Sequence, residues 1–257
     1  MPDCLSVAET TVSDFRQMAA LVTFNPRPRV ERVPLANDQF CYVIDDAVLE
    51  PERLVAFAAA NAEAFHSVDY NAYPGILLPT PGEISVALND FFVQHIRRLF
   101  DARRIVQMHS RLALVTLTPR SLRPWQTLCH CDSVGIEPRH SIQASVLYLF
   151  GDAGMGGTSF YEPARPAREI ALLFHDANTL APEVFEQKHA LGRGYMLTSN
   201  RYFRQVASVP AKWNRLIFYD GAVLHSGDII APEKLSADPI AGRLTLNGFF
   251  THRRHAT

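Results

Sequence analysis

From about Ile105 onward the chain breaks into short β-like runs punctuated by Gly, Pro, Asn and Asp, and this punctuation limits its fold more than any other feature. The runs are Leu112 to Leu117, Ser141 to Phe150, Thr158 to Tyr161, Tyr195 to Thr198, Tyr202 to Ala207, Leu216 to Tyr219, Val223 to His225 and Leu244 to Phe250. Each is rich in β-branched and aromatic residues and too short to be a self-sufficient helix. Parallel neighbours would need a long crossover after almost every strand, and the gaps are mostly too short for that. A sandwich or closed barrel is the expected architecture.

Ahead of this region the first thirty-five residues read as irregular, because Pro26, Pro28 and Pro34 interrupt any long element. A strand is expected at Phe40 to Ile44. A helix should follow, with Asp46 as a cap, Pro51 in the first turn and Leu54, Val55, Phe57, Ala58 and Ala62 at helical spacing. A second helix is expected from Glu83 to Phe100, where Ile84, Leu88, Phe91, Phe92, Ile96 and Leu99 form an apolar stripe. Helical character returns between Arg168 and Lys188, as an insertion of about 165–210 within the β region. The expectation is one domain over 1–257, in which 1–104 supports a β core at 105–250.

The chain of 257 residues carries 25 basic and 26 acidic side chains, a balance that excludes the broad positive field needed for non-specific nucleic-acid binding. There is no apolar run of membrane-spanning length, and Met1 to Ser13 has neither a basic start nor an apolar stretch, so a cytoplasmic protein without a membrane partner is expected. Four cysteines, Cys4, Cys41, Cys129 and Cys131, are too few and too uneven for a disulfide scaffold. The charged end, Thr251 to Thr257 with Arg253 and Arg254, reads as a solvated tail.

Chemistry first suggests itself at Cys129-His130-Cys131-Asp132, the single His-x-Asp in the chain. In extended backbone, alternation puts His130 and Asp132 on one face and the cysteines on the other. An imidazole and a carboxylate so placed can occupy neighbouring vertices of a metal. His225 closes the apolar stretch that begins at Leu216, at the expected end of a buried strand. In Arg243-Leu244-Thr245-Leu246-Asn247 the odd positions are polar and the even ones apolar. Facing inward, such a strand aims a guanidinium and a hydroxyl at an anion, and the guanidinium fork suits a carboxylate. Two histidines and one carboxylate also form the facial triad of non-haem Fe(II) oxygenases.

The order His130-x-Asp132, Ser145-Val146-Leu147-Tyr148-Leu149, Gly156-Gly157-Thr158-Ser159-Phe160, His225 and Arg243-x-Thr245 resembles the 2-oxoglutarate/Fe(II)-dependent dioxygenases, in particular the prolyl-hydroxylase-like branch. Val43-Ile44-Asp45-Asp46 and Leu49-Glu50-Pro51-Glu52 are similar to that branch's strand and helix before the barrel. The resemblance implies a mainly β (α+β) fold, a double-stranded β-helix (jelly-roll, cupin-like barrel) with N-terminal helices packed on the outside. It implies that His130, Asp132 and His225 hold Fe(II), and that Arg243, helped by Thr245 and Tyr148, binds the far carboxylate of 2-oxoglutarate. It implies consumption of O2 and oxidation of a C–H bond in a small-molecule or peptidyl substrate, with succinate and CO2 as co-products. Gly156 and Gly157 are expected to shape a turn. This chain departs from the pattern in its long stretches from Asp132 to His225 and from His225 to Arg243, and in an arginine where many prolyl hydroxylases use lysine.

Other readings stay open on the residues themselves. One is a non-catalytic cupin-like metal-binding or sensing protein, for which zinc also suits three N/O ligands. Another is a thiolate site at Cys129 and Cys131, against their expected role of packing behind the metal strand. A third is a structural interaction module. Trp125 and Tyr73 are candidate entrance aromatics, and the oligomeric state is not encoded in any feature.

Overall fold

The computed structural model describes residues 21–68, 73–100, 102–133, 137 and 139–253. The expectations attached to Met1 to Ser13, Cys4 and residues 254–257 lie outside them. The strands, in chain order, are β1 (Glu31–Pro34), β2 (Phe40–Ile44), β3 (His66–Ser67), β4 (Gly75–Pro79), β5 (Ile105–Val115), β6 (His140–Tyr148), β7 (Thr158–Pro163), β8 (Phe203–Val209), β9 (Leu216–Asp220), β10 (Leu224–Gly227) and β11 (Arg243–Arg253). The α-helices are α1 (Glu52–Ala60), α2 (Gly82–Phe91), α3 (Ala167–Thr179) and α4 (Pro182–His189).

All strand pairings are antiparallel. Eight strands form one sheet in the order β1-β2-β9-β6-β11-β5-β4-β3, and β10-β7-β8 form a second. The period-2 alternation of the large sheet sorts its side chains into two layers. Leu112, Leu114, Leu147, Leu216, Phe218, Leu244, Leu246 and Phe250 join α1 and α2 in one apolar cluster. Tyr148, Ile217, Tyr219 and Phe249, from the same strands, turn the other way and meet Phe160 and Val209 of the small sheet. A third cluster, including Leu128, Cys129, Leu173, Phe185 and Phe203, lies under α3 and α4.

Several expectations are corrected. The first thirty-five residues contain β1, an edge strand that ends on Pro34, where a missing N–H leaves no ladder bond broken. Asp46 does not cap α1; it sits at φ 52°, and Pro51 occupies the N-cap. The helix expected over Glu83 to Phe100 is α-helical only to Phe91, then a π-turn over Phe92–Ile96 and a 3-10 turn over Arg97–Phe100. Phe91, the last α-helical residue, and Phe92, the first of the π-turn, both pack on Phe218, at ring separations of 6.3 and 5.7 Å. Tyr195 to Thr198 forms no ladder, and the Tyr195 hydroxyl anchors it by donating to the Leu117 carbonyl at 2.6 Å. Thr251 to Arg253 are not tail but the end of β11, with His252 buried 3.2 Å from the Ser141 hydroxyl.

The helical insertion lies between β7 and β8 as expected. It is tied together by the buried Asp176 carboxylate, which accepts from Lys188 at 2.6 Å and lies 2.8 Å from the His189 imidazole. The other nitrogen of that ring lies 2.8 Å from the Tyr202 hydroxyl. No helix is long and apolar enough to cross a membrane, among the described residues.

Candidate active site

His130 and Asp132 follow the 3-10 turn Pro124–Thr127, on backbone that leaves the large sheet and borders the small one. An isolated antiparallel bridge pairs His130 with His225, each N–H donating to the other's carbonyl at 2.9 and 2.8 Å. Two residues on, the Asp132 N–H donates to the Gly221 carbonyl at 2.7 Å. These three backbone bonds fix the relative position of two segments remote in sequence. His225 is the second residue of β10, because the stretch from Leu216 is split by the turn at 221–223 into strands of different sheets. That turn needs its glycine: a Cβ on Gly221 would stand 2.6 Å from Ile142 Cγ2 and 3.2 Å from Asp132 Cβ.

The result is a convergent set. One ligand atom from each of His130, Asp132 and His225 lies within 4.8 Å of the others, the sole such cluster of three among the described residues. His225 Nε2 is 3.5 Å from Asp132 Oδ2, and His130 Nε2 is 3.9 Å from Asp132 Oδ1. His225 Nδ1 donates to the Val223 carbonyl at 2.9 Å, which fixes the tautomer and leaves the Nε2 lone pair directed at the cluster. Burial and the adjacent His225 push the His130 imidazole down to about 4, so its ring is neutral at pH 7. Asp132 Oδ2 is buried without a hydrogen-bond partner. A buried carboxylate oxygen left unpaired is costly, and a cation between the three ligand atoms would remove that cost. Two imidazoles and a carboxylate so placed therefore fit a divalent metal.

The cluster opens on a cavity of about 460 Å³ between the two sheets. Arg243, Thr245 and Asn247 of β11 line it, with Tyr219, His225, Ser226 and Gly227 nearby. Both candidate entrance aromatics, Trp125 and Tyr73, also line it, and the insertion contributes Asn178 and Tyr195. Arg243 is buried, with Nε donating to the carbonyls of Met155 at 2.9 Å and Gly156 at 3.2 Å, and Nη2 to Gly157 at 3.0 Å. Those bonds aim the fork and leave Nη1 uncommitted. Gly156 makes the bracing turn possible: its φ is +79°, and a Cβ there would collide with the Asp228 carbonyl. No carboxylate lies within 4 Å of Arg243 among the described residues. Asp228 feels its charge, but its Oδ2 accepts from Ser159 and Ser208, each at 2.7 Å, and burial raises its pKa.

Thr245 is buried on the cavity wall. Tyr148 is fully buried and does not line the cavity; its hydroxyl lies 2.8 Å from Thr158 Oγ1, and Thr158 does. Cys129 packs in the cluster beneath the insertion, whereas Cys131 lines the cavity instead of packing behind the strand. Neither cysteine joins a metal-binding cluster among the described residues. Arg111 of β5 is the charged cavity residue that sequence reasoning missed, beside uncharged ones such as Asn178, Ser226 and Phe249. The available signal was a lone charge on a strand whose following residues, Leu112 to Val115, are all apolar.

A family model described as a family of unknown function (DUF6445) matches residues 26–250. The chain belongs to the DUF6445 family. No curated protein matches it. Solved structures similar to this DUF6445 protein include the non-heme alpha ketoglutarate dependent epimerase SnoN from nogalamycin biosynthesis, at 11% identity over 94% of this chain and 86% of that one, with a TM-score of 0.42. HygX from Streptomyces hygroscopicus, with nickel and 2-oxoglutarate bound, is similar at 9% identity over 84% and 83%, with a TM-score of 0.42. EvdO2 from Micromonospora carbonacea var. aurantiaca, complexed with 2-oxoglutarate, is similar at 9% identity over 90% and 96%, also at 0.42. Likeness this distant assigns no reaction to the DUF6445 protein, so its chemistry has to come from the geometry of its own site.

Proposed function

We propose that this DUF6445 protein is an Fe(II)- and 2-oxoglutarate-dependent dioxygenase of the prolyl-hydroxylase-like branch, acting within one double-stranded β-helix domain in the cytoplasm. The observation that carries the reading is the pairing of a three-ligand cluster with a buried arginine in one cavity, where Arg243 has no carboxylate within 4 Å among the described residues. A cupin-type protein that binds a metal alone needs the first of these and not the second. Three protein ligands leave vertices open for a chelating cosubstrate and for O2.

His130, Asp132 and His225 would hold the metal, with the Val223 carbonyl fixing the His225 ring and the His130–His225 bridge setting their spacing. Arg243 would grip the far carboxylate of 2-oxoglutarate with the donors that Met155, Gly156 and Gly157 leave uncommitted. Thr245 adds a hydroxyl on the same strand, and Tyr148 acts through Thr158. The bound iron, with 2-oxoglutarate and O2, supplies the oxidising power for a substrate C–H bond and yields succinate and CO2. The aromatic wall of Tyr73, Trp125, Tyr219 and Phe249 excludes water and orients the substrate, a small molecule or an amino-acid side chain.

The test is anaerobic addition of Fe(II) and 2-oxoglutarate, watched for a visible metal-to-ligand charge-transfer band. The band should form in the wild type, fall at least tenfold in Arg243→Ala at equal cosubstrate, and persist in the surface control Glu52→Gln. A fully metallated protein that shows no band refutes the cosubstrate. Succinate release under O2 then separates an oxygenase from a metal-binding protein that does not turn over.

A further inference from the structure

The cavity holds a second guanidinium in a different situation from the first. Arg111 lies on β5 directly opposite Asn247 of β11 and faces the cavity, while its neighbours Leu112 and Leu114 join the apolar cluster on the other side of the sheet. Its guanidinium carbon stands 4.8 Å over the Phe249 ring. Its Nε is buried without a hydrogen-bond partner, and no carboxylate lies within 4 Å of it among the described residues. The Arg243 side chain spends donors on three carbonyls, whereas the Arg111 side chain makes no hydrogen bond among the described residues. The side-chain oxygen of Asn247, across the ladder, is likewise buried and unpaired. His130, Asp132, His225, Tyr73 and Tyr219 line the same cavity as Arg111.

Charge balance indicates what Arg111 is for. Among the described residues that line the cavity, Asp132 is the sole carboxylate, against Arg111 and Arg243. A divalent metal adds two positive charges and the 2-oxoglutarate dianion removes two, so one positive charge stays uncompensated. A buried or half-buried charge is stable only when paired. We propose that Arg111 is the specificity-determining residue for substrate, which is a small monocarboxylate whose anion pairs with the Arg111 fork, beside Asn247, while its apolar body lies against the aromatic wall. This inference rests on the dioxygenase reading for the assignment of 2-oxoglutarate to Arg243. It adds the class of molecule oxidised and the residue that selects it.

Benzoate and its neutral isostere benzamide serve as probes, titrated calorimetrically into anaerobic protein loaded with Fe(II) and 2-oxoglutarate. Benzoate is expected to bind at least tenfold more tightly than benzamide without displacing 2-oxoglutarate. Arg111→Gln should abolish that preference while changing 2-oxoglutarate affinity less than threefold, and Arg111→Lys should restore part of it. Because the Arg111 side chain makes no hydrogen bond to the described chain, Arg111→Gln should fold normally, as circular dichroism will verify. Equal binding of the two probes, or no binding of benzoate, overturns the proposal. So does a variant that loses benzoate and 2-oxoglutarate together, since Arg111 would then anchor the cosubstrate. If the wild type does not bind 2-oxoglutarate, the dioxygenase reading fails by itself. The same titration on protein with Fe(II) alone then still decides whether Arg111 discriminates the anion from the amide.

Discussion

The two faces of the large sheet are built from the same strands and obey opposite rules. Toward α1 and α2, β5, β6, β9 and β11 present Leu112, Leu147, Phe218, Leu246 and Phe250, nearly or wholly excluded from water and without a polar atom among their side chains. Toward the small sheet the same strands present Arg111, Tyr219, Arg243, Thr245 and Asn247, two of which bury polar atoms that find no partner. One residue of register separates a face that holds the fold from a face that carries unmet chemistry. The pleat thus confines the polar cavity groups to the face toward the small sheet, where they share it with a second apolar cluster.

The largest expected effect tests the helix face. Phe92 is fully buried and stacks on Phe250 at 4.2 Å, so Phe92→Ala should cost about 3–5 kcal/mol in chemical denaturation. Metal affinity of the remaining folded protein should be unchanged. A loss of metal binding at full occupancy of the native state would show that the two faces are coupled. An intermediate effect is expected at the turn between the sheets. Gly221→Ala forces a Cβ against Ile142 and Asp132, at a cost of about 1–3 kcal/mol, and by displacing Asp132 should weaken Fe(II) or Zn(II) binding about tenfold. Thermal melts and competitive metal titration read the two effects separately, and an unchanged affinity would free Asp132 from its dependence on this turn.

The smallest effect has the opposite sign. Replacing Asn247 by leucine removes a buried, unpaired amide oxygen from the cavity face, so Asn247→Leu should raise stability by about 1 kcal/mol. A melting temperature lower than wild type would mean that this face also supports the fold, and the contrast between the two faces would have to be withdrawn.

How far the sequence discloses this molecule depends on whether the information is local. β6, β9 and β11 are legible because their alternation or β-branched content is confined to a few adjacent residues. β4 escapes notice because Gly75-Ile76-Leu77-Leu78-Pro79 does not alternate and is bounded by turn residues, although pairing with β5 makes it a strand. β3 has two residues and exists only through its partner. The end of α2 is misread because the apolar stripe continues through Phe92, Ile96 and Leu99 and carries no mark of the point where the α-helix gives way to a π-turn. At the site, His130 and Asp132 are legible as a local pair, and His225 only through its place in a family order. Arg111 is illegible because its meaning is relational. A charge in a strand is ordinary until the structure shows that no carboxylate stands near it.

The bridge between His130 and His225 has a mechanical consequence. The segments it joins belong to different stretches of the chain, so a metal bound there acts as a cross-link that closes the whole loop from 130 to 225, including the helical insertion. Like other cross-links, it lowers the entropy of the unfolded chain if binding survives there, and if binding is confined to the native state it adds stability by mass action. In either case an ion held there would also clasp the segment 130–132 to β10 and the turn before it, on the side of the cavity formed by the small sheet.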